Sequence, residues 1–285
     1  MRTAVDPHVH LHPAHDFDRA LTAAERAAGA LGGRLICCLV EMPGQDVFRR
    51  WRDAGEVAGR RVRVLDQGRL LELRKNDEGA AVFFAPGRQV ATAERLEMLS
   101  ICGEGDLPAG LSLAESAVAA REAGGLSVTP WGVGKWTGGR GQTVIESLRA
   151  DPDLLAGDNG GRPVGWSSVP LDLARELGRT VLPGSDPLPL PGGASRLGSL
   201  GVWVDVPDLP GDGSSSSASE GEIGEGGWLA ALRSALTGVG PAPATFGRHV
   251  GWPGLVLDQF RMRLGKSSAS TASPPGDRAP EEGAA

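Results

Sequence analysis

The chain has 285 residues, enough for one large domain or two small ones and for a substantial core. Hydrophobic residues make up 40% and charged residues 22%, a globular composition, and 29 basic against 35 acidic residues give a formal charge of -6. That balance argues against a nucleic-acid partner, and no apolar run approaches the roughly 20 residues of a membrane span.

The chain opens on a predicted strand, Arg2 to His10, followed by the turn-forming Pro13. Four of the five histidines lie here, as His8, His10, His12 and His15 in AVDPHVHLHPAHD. A strand has a side-chain period of 2, so His8 and His10 share a face, and paired imidazoles at a strand end begin many divalent-metal sites. His12 and His15 fall in the loop beyond, with His15 within reach of the strand end. With no secretory leader read before the strand, a cytoplasmic location is expected. Cys37, Cys38 and Cys102 show no zinc or CxxC spacing and read as buried thiols of a reducing compartment.

An Ala-rich helix is expected over Phe17 to Leu31, closed by Gly32-Gly33. Arg34 to Met42 is a continuous apolar run, as in a strand buried on both faces, and a second helix follows over Gln45 to Ala58. Residues 60–95 then read as a small antiparallel β insertion. Its strands are Arg61 to Leu65, Arg69 to Arg74, Ala80 to Ala85 and Arg88 to Ala93, with turns at Asn76 to Gly79 and Pro86-Gly87. The main sheet resumes near Leu96 to Cys102.

Strand and helix alternate afterwards. Ser112 to Glu115 is a capping box, and Gly124-Gly125 closes its helix. Strands are expected at Leu126 to Thr129, Asp153 to Ala156, Thr180 to Leu182 and Leu200 to Val206. Helices are expected at Gln142 to Arg149, Leu171 to Leu177 and Trp228 to Leu236. Residues 207–227 read as a disordered loop and 266–285 as a disordered tail, leaving one domain over 1–265. Seven or eight strand candidates, with no Gly-rich nucleotide loop after the first, favour an α/β fold of the distorted (β/α) barrel type.

In a barrel the C-terminal strand ends converge, which gathers His8, His10, Glu41, Glu94, Glu97, Trp131, Lys135, Asp158, Asn159, Arg162, Ser185 and Asp186 on one face. Lys135 flanks a glycine-rich loop before a helix, an arrangement suited to anions. Arg162 is a candidate anion clamp, and Asp158 and Asn159 sit beside it. Glu41 is expected to pair with Arg34 or Arg49, and His249 to pack in the core.

DPHVHLH resembles the HxH motif that opens the PHP (polymerase and histidinol phosphatase) family and the wider amidohydrolase-type barrels. GSDPLPLPGGASRLGSLG (184–201) resembles the late PHP segment, in which a Ser-Asp pair ends a strand. The resemblance implies a distorted barrel of seven or eight strands and a metal site that activates water against phosphate esters. It makes His8 and His10 the first ligand pair, Asp186 the late ligand aspartate or catalytic base, and Glu94 the middle acidic ligand. The ion implied is one divalent zinc, manganese or iron. Lys135, Asp158, Asn159, Arg162 and Arg196 would hold a small anionic substrate.

The chain also departs from that family. Leu188 stands where the late motif has a histidine, Trp131 stands in TPWG where the family has HP, and no histidine occurs between His15 and His249. Two other functions follow from these residues: an inactive PHP-like scaffold that binds a ligand or partner, or an amidohydrolase-type amide or lactone hydrolase using the same ligands.

Overall fold

The computed structural model describes residues 1–190, 192–208 and 227–270. Seven strands form the wall that carries the site: β1 (Arg2–Val9), β2 (Arg34–Glu41), β6 (Ala81–Ala91), β7 (Glu97–Ile101), β8 (Leu126–Pro130), β9 (Leu155–Asn159) and β10 (Val181–Gly184). They lie in the order β10-β9-β8-β7-β6-β2-β1. All run parallel except β7, which is antiparallel to both neighbours. The wall closes where Asp186, just after β10, donates its N–H to the carbonyl of His8 at 2.8 Å. Gly184 permits this approach, since a Cβ there would lie 2.5 Å from that of His8. The result is the distorted (β/α) barrel expected from the sequence.

Side-chain alternation divides the core into layers. Ile36, Cys38 and Val40 face the barrel interior with Phe83, Ala85, Leu99, Ile101 and Val128. Leu35, Cys37 and Leu39 face outward onto α1 (Phe17–Ala30) and α2 (Val47–Ala54). Asp16 caps α1 by accepting the Arg19 N–H at 3.2 Å, and Gly32 and Gly33 follow its end at positive φ. The other outer layer packs α3 (Leu113–Glu122), α4 (Gly138–Ala150) and α5 (Val169–Glu176) on β7 to β10. The capping box at Ser112 and Glu115 is present. Trp228, Leu229, Leu232 and Leu236 of α6 (Gly227–Gly238) fill the interior from one end. No helix among the described residues is long and apolar enough to cross a membrane.

Several expectations are corrected. Helix α2 stops at Ala54 because Gly55 turns left-handed, and β3 (Glu56–Val57) hairpins with β4 (Arg60–Leu65) in the space assigned to helix. The β insertion ends with β5 (Leu70–Arg74), because β6 is one continuous barrel strand rather than two arms of a meander. Pro86-Gly87 makes no turn. On one edge β6 pairs with β5 as far as Phe84 and with β7 from Gly87, so Pro86, which has no N–H, falls where the ladder changes partner. Gly87 admits a close backbone, since a Cβ there would meet the Ser100 carbonyl at 2.9 Å.

Strand β11 (Leu200–Asp205) runs antiparallel to β1 and is followed by β12 (Thr245–Gly247), which the sequence did not predict. Also unpredicted is α7 (Trp252–Ser270), which continues into the stretch expected to be tail. Residues 209–226 and 271–285, the bulk of the expected loop and tail, lie outside the described residues.

Candidate metal centre

A regular β1 would place His8 and His10 on the same face as Ala4, which packs outward against α1. The register shows why they face inward instead. Asp6 pairs with Cys37 and Val9 with Leu39, three residues of β1 against two of β2. This bulge at Pro7-His8 inverts the alternation, so that Val9 joins the outer core and His10 turns to the barrel mouth with His8 against it. Asp6, itself buried, accepts the backbone N–H groups of His8, Ser185 and Gly198 at 3.3, 2.9 and 3.0 Å. One carboxylate thus ties the bulge to the segment that follows β10. Burial pushes its carboxyl up to about 7, against the pull of those hydrogen bonds.

Asp186 sits beyond β10 with φ at +44°. One oxygen lies 3.7 Å from Nε2 of both His8 and His10, and the two Nε2 atoms are 2.9 Å apart. His10 Nδ1 lies 2.7 Å from the Val40 carbonyl, a contact that needs the proton on Nδ1 and leaves the Nε2 lone pair directed at the group. Ligands about 2.1 Å from a tetrahedral ion are about 3.4 Å apart, and the three separations bracket that value. The donor set, two imidazoles and a carboxylate, therefore fits one divalent ion with room for a further ligand.

Burial lowers His8 to about 4 and His10 to about 3, so both imidazoles are neutral and ligand-competent at pH 7. Burial raises the Asp186 carboxyl, with His10, Lys135 and Arg196 pulling it back down.

His12 and His15 have a different task. Their Nε2 atoms lie 3.1 and 2.8 Å from the carbonyls of Pro187 and Leu188. With the Asp6 and His8 contacts they clasp residues 185–188, the segment that presents Asp186.

With His8 beside them, His10 and Asp186 line a cleft of about 610 Å³ at the C-terminal end of the barrel strands. Lys135 and Glu97 form an ion pair in its lining, with Gln89, Asn159 and Trp131 nearby. The Asn159 amide is committed to the Trp131 carbonyl and the Gly161 N–H, so it fixes the rim. The sequence reading missed Gln89, which is buried in the cleft lining beside His8. Its signal was legible: on an unbroken β6 it shares the inward face of Ala81, Phe83 and Ala85. Assigning Pro86-Gly87 to a turn hid it.

Other expected site residues lie elsewhere. Glu94 accepts the Leu113 N–H at 3.1 Å, at the start of α3, and stands outside the ligand group. Asp158 and Glu41 occupy outward positions of their strands. Asp158 holds Arg162 through two hydrogen bonds of 2.6 and 2.7 Å, with His249 3.2 Å away, so neither it nor Arg162 is an open clamp. Burial would raise the Asp158 carboxyl, but Arg162 and His249 hold it below its usual value. Glu41 accepts the Val47 N–H at the start of α2 and pairs with Arg88 rather than Arg34 or Arg49. Arg196 pairs with Asp258 of α7 at 3.0 Å.

No family model and no curated protein matches the chain. Among solved structures it is similar to PsfC from Pseudomonas syringae, with a TM-score of 0.53 and 17% identity over 92% of this chain and 99% of that one. It is also similar to the lesion-specific endonuclease EndoQ from Pyrococcus furiosus, with a TM-score of 0.44 and 15% identity over 73% of this chain and 53% of that one. A third similar structure is Endonuclease Q with a 27-mer duplex substrate carrying an abasic lesion. Its TM-score is 0.49, with 16% identity over 98% of this chain and 75% of that one. At this identity the likeness to PsfC bears on the fold alone. The exclusion of nucleic acid as a partner is corrected, since an endonuclease with a duplex DNA substrate stands among the similar structures. Net charge sums the whole surface and carries no information about one cleft.

Proposed function

We propose that the chain is a metal-dependent phosphoesterase with one divalent ion held by His8, His10 and Asp186. The observation that carries this reading is the convergence of three candidate ligand atoms, all within 4.8 Å of one another, with His10 and Asp186 lining the cleft. A divalent ion there supplies Lewis acidity toward an ester oxygen and makes water more acidic. The chain's own groups do the rest. Asp186, with its carboxyl raised by burial, takes up a proton from water. The Lys135 ammonium, shared with Glu97, meets the anionic oxygens of the ester. The clasp by His12 and His15 keeps Asp186 in place.

The test is calorimetric titration of the metal-free protein with Zn²⁺ and Mn²⁺, followed by phosphate-release assays on a panel of monoesters and a nicking assay on a lesion-bearing DNA duplex. One equivalent of ion, lost in the His8→Ala, His10→Ala double variant, with ion-dependent cleavage of at least one ester, is expected. Sub-stoichiometric metal unchanged by the double substitution would overturn the reading.

The departures from the family, Leu188 and Trp131 in place of histidines, favour a second reading in which the barrel binds a ligand without turnover. One equivalent of ion with no cleavage of phosphate esters, amides or lactones would select it. Cleavage confined to amides or lactones would select the amidohydrolase alternative.

A further inference from the structure

The wall of the cleft says what kind of substrate it takes. Helix α7 lies along one side and contributes Leu255, Asp258, Gln259 and Met262, spaced i, i+3, i+4 and i+7 so that all four fall on one helical face. Asp258 anchors that face through Arg196, and Trp252 at the start of α7 stacks on Trp166 with ring centroids 5.1 Å apart. Trp166 in turn meets Trp131 edge-on at 5.8 Å. Trp131, Val133, Pro187 and Pro189 line other parts of the cleft. The cations near the site are already paired, Lys135 with Glu97 and Arg196 with Asp258. The floor is thus polar and ligand-bearing, while apolar groups recur around the walls. Apolar lining with a few fixed polar groups is the usual build of a site for a molecule with a substantial apolar body.

Resting on the proposed phosphoesterase activity, we infer that Leu255 and Met262 of α7 and Trp131 determine specificity for esters whose leaving group is apolar or aromatic. The phosphoryl group faces His8, His10 and Asp186, and the leaving group lies among these apolar side chains. Hydrolysis breaks the P–O bond to the leaving group, water supplies the new oxygen, and the leaving group departs as the alcohol or phenol with a proton.

Two measurements test this on the full-length chain. The first compares binding of phenylphosphonate and methylphosphonate by calorimetry, with and without Mn²⁺. The second compares kcat/KM for phenyl phosphate and glycerol 3-phosphate. Wild type should bind phenylphosphonate at least tenfold more tightly, and the Leu255→Ser, Met262→Ser double variant should bring the two affinities within about threefold. The kinetic preference should fall in parallel, mainly through KM, with Mn²⁺ affinity unchanged. Tight, variant-sensitive binding of phenylphosphonate without turnover would uphold the apolar subsite while the hydrolase reading fails. Equal affinity for the two phosphonates, or binding of neither, would overturn the subsite, whatever the activity.

Discussion

At the scale of single residues, the four clustered histidines separate by what their ring nitrogens meet. His10 spends Nδ1 on the Val40 carbonyl and keeps Nε2 for a ligand, whereas His12 and His15 spend Nε2 on the carbonyls of Pro187 and Leu188. The sequence put His8 and His10 with Asp186 and left His12 and His15 in the loop, but could not assign those two a role, because that depends on partners about 175 residues away. Groups that orient a ligand typically account for ten- to a hundredfold in metal affinity. His12→Ala and His15→Ala should therefore each weaken Zn²⁺ binding about tenfold by calorimetry, although neither belongs to the candidate ligand group. Unchanged affinity in both would mean the clasp does not position Asp186. Proton competition supplies a second expectation. An imidazole with a pKa of 6.5 loses metal as pH falls below that value, but here burial holds His8 near 4 and His10 near 3. Burial raises the Asp186 carboxyl, so protonation there can compete with metal as pH falls. Zn²⁺ affinity between pH 7 and 5 should fall with a slope of at most one proton. A two-proton slope centred near 6.5 would show that the imidazoles titrate as exposed ones do.

At the scale of elements, β1 carries the decisive irregularity. Alternation in the sequence correctly put His8 and His10 on one face, but it could not say which face, because the bulge at Pro7-His8 shifts the register by one residue. The same alternation, applied once the register is known, explains which strand-end residues reach the cleft. Asn159, Glu97 and Gln89 occupy inward positions, while Asp158 and Glu41 point out to Arg162 and to α2. The sequence reading gathered all strand-end polar groups together because it located strand ends but not their parity. Asp6 holds the bulge, and its removal leaves the N–H groups of Ser185 and Gly198 buried without acceptors. Asp6→Ala should cost about 2–4 kcal/mol of stability in urea unfolding. It should also lower metal affinity in the molecules that remain folded. A loss below about 1 kcal/mol would show that water or a backbone shift replaces the carboxylate.

At the scale of the whole molecule, the closed wall and the helix across its mouth divide the labour. The barrel was legible because β2 is a continuous apolar run and strands alternate with helices. Helix α7 was not, because Leu255 and Met262 face the cleft while Val256, Leu257 and Phe260 are exposed, so its apolar residues trace no single buried face, and the polar stretch from Lys266 resembles a tail. Within the site, the candidate ligand atoms come from His8 in β1, His10 just beyond it and the turn after β10, whereas the apolar side from α7 is joined to the rest by the Arg196–Asp258 pair and the Trp166–Trp252 stack. The Arg196–Asp258 pair is mostly sheltered, with side chains 22% and 16% exposed, so removing one partner leaves the other a poorly solvated charge. Arg196→Ala and Asp258→Ala should each speed hydrogen exchange of the α7 amides over 252–262 severalfold. The double variant should be no worse than the more severe single one, because both remove the same interaction. Zn²⁺ affinity should stay within about twofold of wild type, since no metal ligand lies on α7. A tenfold loss of metal affinity in either variant would mean that α7 braces the ligand group itself, and the division between a metal-holding wall and a substrate-selecting helix would fall.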